Sequence, residues 1–394
     1  MLNLTAIPAE FVVFALTLIG VAVWHRRALA VALAGLLVAL AYKLALPGFA
    51  EGPGLAGLGL HFAHEWVTLA NLMLLLVGFA VIAHHFETSR LPHAIPGMLP
   101  RGWTGGLVLL ALVFVLSVFL DNIAAAVIGG VVAKHVYRGK VGVGFLAAIV
   151  AAANAGGAGS VIGDTTTTMM WLWGVAPLDL ILAFIGSAAA FAVFGPLAAF
   201  AQHRLAPAES HVAADLVIDW MRVTVVGFAL VCIIAANVAT NLFFPGLEEA
   251  VPVLGIAIWV ALLAAVVARR PDWSVVPGAA TGALFLVALV ALAALMPVAQ
   301  LPAASAWSTF GLGLLSSVFD NIPLTALALE QGGYNWHLLA YAVGFGGSML
   351  WFGSSAGVAL TRLYPEARSV TAWLRQAWHV PVAYVVGFAL LAAV

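Results

Sequence analysis

Long apolar segments separated by short polar ones run through the whole chain, and they constrain its fold more than any other feature. A helix of about 20 apolar residues is long enough to cross the hydrocarbon core of a bilayer. Only 8% of the 394 residues are charged and 64% are hydrophobic, so lipid must cover most of the surface. The sequence predicts an all-α polytopic membrane protein with about ten transmembrane spans, at residues 11–24, 28–46, 66–86, 141–173, 178–202, 223–244, 252–268, 275–297, 336–361 and 377–394.

Two further apolar segments, 105–133 and 307–333, are each interrupted by an Asp-Asn pair. A charge at mid-depth is expensive on a lipid-facing helix, and broken backbone at that depth must be buried in protein or line a wet cavity. We interpret both segments as re-entrant helical hairpins that enter and leave on one side of the membrane. One Asp-Asn pair could equally be a plain helix cap or turn, but two copies favour the hairpins.

The positions of the basic residues support this topology. With both hairpins re-entrant and both termini outside, all 15 Lys and Arg residues except Lys43 lie on the inside, where positive charge accumulates in membrane proteins. Lys43 is near a span end, from which its ammonium group can reach the interface. A full span in place of either hairpin would invert everything after it and destroy the bias. The predicted location is a bacterial-type inner (cell) membrane.

The two halves of the chain repeat one another. The hairpin motifs SVFLDNIAA (117–125) and SSVFDNIPLT (316–325) are each followed by a glycine-broken span, with GGAGSVIGD (156–164) and GGSMLWFGS (346–354) at the breaks. The topology makes the halves inverted, as in many secondary transporters, whose binding site lies at the repeat interface. The predicted organisation is a first inverted repeat at 1–202, a cytoplasmic linker at 203–222 and a second inverted repeat at 223–394.

Three acids, Asp121, Asp164 and Asp320, fall at membrane depth with no Lys or Arg placed to neutralise them. Such a carboxylate must take up a proton or hold a cation, and a cation/proton antiporter alternates between these two states. Hard cations prefer oxygen ligands, so we place Na⁺ at Asp121 and Asp164. The candidate ion- and proton-binding residues are Asp121, Asn122, Asn154, Asp164, Thr166, Thr167, Asp320, Asn321, Ser354 and Ser355, with backbone or hinge roles for Gly156, Gly157, Gly163, Gly346, Gly347 and Gly353.

Structural roles compete with these assignments. Asp164 could act only as the N-cap of the helix TTTTMMWLW, and the threonines could bond back to their own helix. Asn71 and Asn237 are interpreted as links between spans.

Other functional classes fit less well. A net charge of −1 gives no basic field for nucleic acid, the single Cys232 excludes an internal disulfide, and there is no P-loop pattern to bind ATP. We therefore expect no enzyme activity and no cofactor, with Na⁺ or Li⁺ and H⁺ as substrates. A carboxylate (citrate-like) or arsenite carrier stays open as an alternative. An intramembrane aspartyl protease needs two facing aspartates and leaves the repeat and the third acid unexplained.

Four segments resemble the NhaD-type sodium/proton antiporters: FLDNIAAAV (119–127), NAGGAGSVIGDTTTTMMW (154–171), FDNIPLTALAL (319–329) and GFGGSMLWFGSSAGVAL (344–360). That family belongs to the ion transporter superfamily, together with arsenite permeases, the melanosomal P protein and citrate carriers. The resemblance implies the ion transporter fold, a homodimer and elevator-like alternating access. It also implies functional roles for Asp121, Asn122, Asn154, Asp164, Thr166, Thr167 and Asp320. The second half has Ser354 where the first has Asp164, so the two half-sites differ.

Overall fold

Apolar segments become helices in lipid because the backbone must satisfy its own N–H and C=O groups there. The computed structural model describes residues 8–24, 27–46, 48–49, 51–91, 94, 99–208, 217–244 and 247–394, and within them it has helices and no β-strand. The α-helices are α1 (Ala9–Val23), α2 (Ala28–Ala45), α3 (Gly54–Thr88), α4 (Trp103–Phe119), α5 (Asn122–Val136), α6 (Val143–Gly157), α7 (Thr165–Leu172), α8 (Pro177–Ile181), α9 (Ala183–Leu205), α10 (Trp220–Phe243), α11 (Leu247–Ala250), α12 (Val253–Ala265), α13 (Val276–Ala294), α14 (Ala306–Ser316), α15 (Asn321–Gln331), α16 (Trp336–Gly346), α17 (Ser355–Leu363), α18 (Val370–Gln376) and α19 (His379–Leu391).

Several of these helices are long and apolar enough to cross a bilayer. Within the described residues, five candidates of at least 18 residues cover Ala28–Ala45, Gly54–Thr88, Pro177–Leu205, Trp220–Thr240 and Trp273–Ala294, and shorter apolar helices accompany them. The chain is therefore an all-helical, multi-pass membrane protein, as the composition predicts.

The helices are interrupted where the Asp-Asn and glycine motifs lie. Helix α5 begins directly after Asp121, and α15 begins directly after Asp320. The segments predicted at 141–173 and 336–361 are each divided in two, with breaks at 158–164 and 347–354.

One predicted span differs in length. The span expected at 66–86 belongs to α3, which begins at Gly54 just after Pro53. His61 and Glu65 lower the hydropathy of this extra part but do not end the helix. The Nδ1 atom of His61 lies 3.2 Å from a carboxylate oxygen of Glu51, so this polar ring has a partner.

The chain divides into two compact units, and each contains parts of both predicted repeats. The first unit comprises 1–82, 227–303 and 326–332, and the second comprises 83–226, 304–325 and 333–394, in both cases within the described residues. This division does not test the predicted repeat boundaries. The predicted linker at 203–222 lies partly outside the described residues, at 209–216.

Polar links hold helices together in the first unit. The ammonium group of Lys43 lies 3.7 Å from the carboxylate of Glu10, and both side chains are largely buried, so Lys43 forms an ion pair as well as lying at a span end. The side-chain oxygen of Asn71 accepts a 2.9 Å hydrogen bond from the amide of Gly255. This bond joins α3 to α12 and confirms the linking role predicted for Asn71.

In the second unit, the centre is helix α6. Its side chains from Phe145 to Gly157 are all buried. Small residues dominate this stretch, and small residues allow neighbouring helices to approach closely in membranes. Helix α6 packs against α4, α5, α9, α16 and α17, and it ends at the first break.

Candidate functional site

The first hairpin and the first broken helix pack backbone against backbone. A methyl group at Gly156 would collide with the carbonyl oxygen of Phe114, and one at Gly163 would collide with that of Ser117. Two hydrogen bonds fix the contact. The backbone amide of Asn122 donates to the carbonyl of Gly163 at 3.0 Å, and the Ser160 hydroxyl donates to the carbonyl of Val118 at 2.6 Å. Glycine is required here because only a bare backbone fits this approach.

The second hairpin meets the second broken helix in the same way. A methyl group at Gly346 would collide with the carbonyl oxygen of Gly313, and one at Gly353 would lie 2.5 Å from that of Ser317. The Ser316 hydroxyl donates to the carbonyl of Val343 at 2.8 Å. The glycines that the sequence places at matching positions therefore have matching contacts.

Asp164 lies at the first break, immediately before α7. It is 2% exposed, and its Oδ1 atom accepts a 3.3 Å hydrogen bond from the amide of Thr166, so it does cap the helix. Its Oδ2 atom is buried and has no hydrogen-bond partner. A buried carboxylate oxygen without a partner is costly unless a proton or a cation satisfies it. Capping therefore accounts for only one of the two carboxylate oxygens of Asp164.

The threonines after Asp164 divide into two groups. The hydroxyl of Thr167 donates to the carbonyls of Ser160 and Asp164, at 2.5 and 2.9 Å, and that of Thr168 donates to the carbonyls of Val161 and Asp164, at 2.8 and 3.0 Å. These two hydroxyls hold the break together, as the structural alternative predicts. The hydroxyl of Thr166, by contrast, is buried and lies beside the carboxylate of Asp164 without a hydrogen bond of ordinary geometry.

Asn154 joins the two broken helices. Its side chain is fully buried, and its Oδ1 atom accepts a 3.1 Å hydrogen bond from the amide group of Asn122. Its Nδ2 atom donates to the hydroxyls of Ser348 and Ser354, at 2.9 and 3.2 Å. Both amide hydrogens of Asn154 are thus used, which leaves only its oxygen able to contact an ion.

Asp320 is better satisfied than Asp164. Its Oδ1 atom accepts a 3.0 Å hydrogen bond from the amide of Ile322, and its Oδ2 atom accepts a 3.1 Å bond from the hydroxyl of Ser355. The neighbouring Asn321 has a buried amide nitrogen without a partner. The helix-cap alternative therefore fits Asp320 well.

Asp121, Asp164 and Asp320 all belong to the second compact unit. Within the described parts of the chain, no ion pair involves any of the three. In the same residues, no three His, Cys, Asp or Glu side chains converge closely enough to bind a metal ion by themselves. A cation held here would need hydroxyl, amide or carbonyl oxygens beside a carboxylate.

Some predicted carbonyl ligands already accept hydrogen bonds. The carbonyl of Gly157 accepts a hydrogen bond from the backbone amide of Ser160 at 2.9 Å, and the carbonyl of Gly163 accepts the bond from Asn122 described above. The carbonyl of Gly346 accepts a hydrogen bond from the backbone amide of Met349 at 3.2 Å. A carbonyl oxygen has a second lone pair, so these bonds reduce the capacity of the carbonyls as ligands without removing it.

Sequence reasoning missed two residues of this region, Ser348 and Gly344. Ser348 accepts a hydrogen bond from Asn154, and Gly344 lies directly beside the Oδ2 atom of Asp164. Gly344 lies in α16 and Ser348 in the break that follows it, and only their contacts with Asp164 and Asn154 in the folded chain could have identified them.

Comparison with known proteins finds no matching family model but several curated relatives. Sodium/proton antiporter 1 of Arabidopsis thaliana is 28% identical over 291 residues, which cover 62% of this chain and 48% of that protein. The Na⁺/H⁺ antiporter NhaD of Vibrio parahaemolyticus is 27% identical over 356 residues, or 75% of this chain and 83% of that protein. NhaD of Alkalimonas amylolytica is 25% identical over 361 residues, or 76% and 72%.

The chain spans about half the length of the Arabidopsis relative and more than two thirds of the two bacterial ones. The bacterial matches extend far beyond the four motifs, since each covers about three quarters of this chain. Over most of its length, this chain is therefore similar to the NhaD-type sodium/proton antiporters.

Proposed function

We propose that this protein exchanges sodium or lithium for protons across a membrane. The observation that carries the proposal is Asp164, a carboxylate that is 2% exposed and whose Oδ2 atom has no hydrogen-bond partner. The names of the similar proteins, sodium/proton antiporter and Na⁺/H⁺ antiporter NhaD, agree with it.

Exchange follows from competition for one carboxylate. A protonated Asp164 is neutral and satisfies its own buried oxygen, whereas an ionised Asp164 needs a cation. Sodium and a proton therefore exclude one another at the same atom, which couples their movements. Asp121, the hydroxyl of Thr166 and the side-chain oxygens of Asn122 and Asn154 are the proposed additional ligands, and Asp320 tunes the site through its charge.

The test is a dye assay of proton movement in inverted or reconstituted vesicles. Adding sodium or lithium to vesicles with a preset pH gradient should dissipate it, and Asp164→Asn should reduce the rate at least about a hundredfold, because an amide can neither release a proton nor neutralise a cation. Asp179→Asn is the matched control, since Asp179 is an exposed acid near the start of α8 and should keep the wild-type rate.

Two results contradict the proposal. One is sodium-driven proton movement by Asp164→Asn at the wild-type rate. The other is a wild-type protein that transports citrate or arsenite but no monovalent cation, which would favour the carrier alternative.

The proposal includes the inverted repeats and the two re-entrant hairpins. Their support is the recurrence of contacts: Gly156 and Gly346 each face a hairpin carbonyl, as do Gly163 and Gly353. Repeats with broken helices that meet at mid-membrane are the usual design of secondary transporters.

Alternating access is proposed to be of the elevator type, in a homodimer in the inner membrane with both termini outside. The elevator mechanism draws support from the second compact unit, which contains Asp121, Asn154, Asp164, Asp320 and Ser354. A single unit that holds all of these residues is suited to carry the ion as a body.

A further inference from the structure

The two broken helices, α6–α7 and α16–α17, contact each other at two matching places, one at Asn154 and one at Gly344. The two places differ in whether a side chain fills the space between the helices. With Gly156 matched to Gly346 and Gly163 to Gly353, the remaining positions of the two breaks match as well. Asn154 matches Gly344, Ala158 matches Ser348, and Asp164 matches Ser354.

In the first set, an amide fills the space between the helices. Asn154 on α6 reaches the hydroxyls of Ser348 and Ser354 on the other broken helix, at 2.9 and 3.2 Å. The side-chain nitrogen and oxygen of Asn154 and both serine hydroxyls have hydrogen-bond partners, so this contact needs no ion to satisfy it.

In the second set, the matching position has no side chain. A Cβ atom built on Gly344 would lie 3.2 Å from the Oδ2 atom of Asp164 and 3.3 Å from the Cβ atom of Ala158. These are the counterparts of Ser354 and Ser348, so Gly344 faces the same two positions that Asn154 faces. Here, however, the carboxylate oxygen is left without a partner.

We propose that Gly344 is a specificity-determining residue, whose missing side chain reserves the space beside the Oδ2 atom of Asp164 for the transported cation. The inference rests on the proposed function and adds to it the size limit of the site. Gly344 lies within helix α16 and does not have a positive φ. The glycine is therefore required for space and not for conformation.

The first test is Gly344→Ala. The added methyl group narrows the space by a fixed amount, so it should disfavour sodium more than the smaller lithium ion. We expect the sodium concentration for half-maximal proton movement to rise about tenfold, the effect of one methyl group in a fitted site, and the lithium value to rise clearly less. An equal change for both ions, or no change, overturns the inference.

A double variant separates space for the ion from simple crowding. Ala158→Gly removes the other group that the new methyl would touch and leaves the Oδ2 atom of Asp164 untouched. The quantity compared is the ratio of the sodium to the lithium concentration for half-maximal proton movement. If Gly344→Ala acts on the ion, this ratio is higher in the double variant than in Ala158→Gly alone. Full recovery of the wild-type ratio in the double variant overturns the inference. Should Gly344→Ala alone fail to accumulate, this pair carries the same comparison.

Binding is measured separately from transport. Sodium and lithium should each raise the thermal unfolding midpoint of the purified protein, since a ligand that binds only the folded state stabilises it. The Gly344→Ala variant should need a higher sodium concentration for the same shift. Wild-type protein that moves no protons with sodium refutes the proposed function, whereas wild-type exchange with an unaltered ion ratio in Gly344→Ala refutes only the role of Gly344.

Discussion

At the residue scale, two buried polar side chains show opposite situations. Asn154 is fully buried and uses both of its amide hydrogens and its oxygen in hydrogen bonds. Asp164 is nearly as buried but keeps one oxygen without a partner. Satisfied polar groups fix a structure, and an unsatisfied one demands a ligand. We therefore regard Asn154 as the residue that positions the site and Asp164 as the residue that binds.

Removing the Asn154 side chain should destabilise the fold. Asn154→Ala breaks hydrogen bonds to Asn122, Ser348 and Ser354 and should lower the free energy of unfolding by about 3 kcal/mol, at about 1 kcal/mol for each bond. Ser348→Ala breaks one of the three bonds and should cost about 1 kcal/mol. Unfolding in mixed detergent micelles measures both. Equal losses for the two variants would contradict the central position of Asn154.

At the element scale, the breaks in the helices are held by glycine contacts and not by the Asp-Asn motif alone. Gly156 and Gly163 lie against carbonyls of α4, and Gly346 and Gly353 lie against carbonyls at the end of α14 and just beyond it. The close approaches of Gly156 and Gly163 place the start of α7 beside the end of α4. The position of Asp164 thus depends on the contacts of these glycines with the hairpin backbone.

Adding a methyl group at one of these contacts should separate two helices. Gly346→Ala places its methyl group on the carbonyl of Gly313, so α14 and α16 must move apart, and we expect a loss of about 2 kcal/mol, typical of overpacking. Gly311→Ala on α14 meets no atom within 4 Å and should be neutral or stabilise by up to about 1 kcal/mol. Thermal unfolding of the two variants decides the matter, and equal midpoints would refute the packing role.

At the scale of the whole molecule, the proposed topology places each hairpin on one side of the membrane. The exposed residues Glu87 and Lys140 flank the first hairpin, and Ala303 precedes the second. If the first hairpin is re-entrant, residues 87 and 140 share a side, because two passes through half the membrane return the chain to where it started. Residue 303 belongs on the opposite side.

Single cysteines at these positions, in a Cys232→Ser background, test the topology with a membrane-impermeant maleimide. Glu87→Cys and Lys140→Cys should react from the cytoplasmic side only, and Ala303→Cys from the outer side only. Labelling of 87 and 140 from opposite sides would mean that the first hairpin is a full span.

Phe119→Cys extends the test to the proposed elevator movement. Phe119 is the last residue of α4 and is 55% exposed. The cysteine should react from different sides as the sodium concentration is varied, and labelling from one fixed side would exclude that movement.

The sequence by itself predicted the apolar helices, the two Asp-Asn interruptions and the two glycine breaks that the structure shows, and it marked Asp164 as a candidate site residue. These features depend on hydropathy, on charge at membrane depth and on local backbone freedom, all of which are read from neighbouring residues. The start of α3 was misplaced, because His61, His64 and Glu65 lower the hydropathy of a helix that continues through them.

Only the tertiary structure decided which polar atoms meet. Asn154 contacts Ser348 and Ser354 across 194 and 200 residues of sequence, and Gly344 faces Asp164 across a similar distance along the chain. Local patterns cannot specify such pairs, since they depend on how α6 and α16 pack in the folded unit. That packing leaves one carboxylate oxygen without a partner and places a bare glycine beside it, and the proposed exchange depends on both.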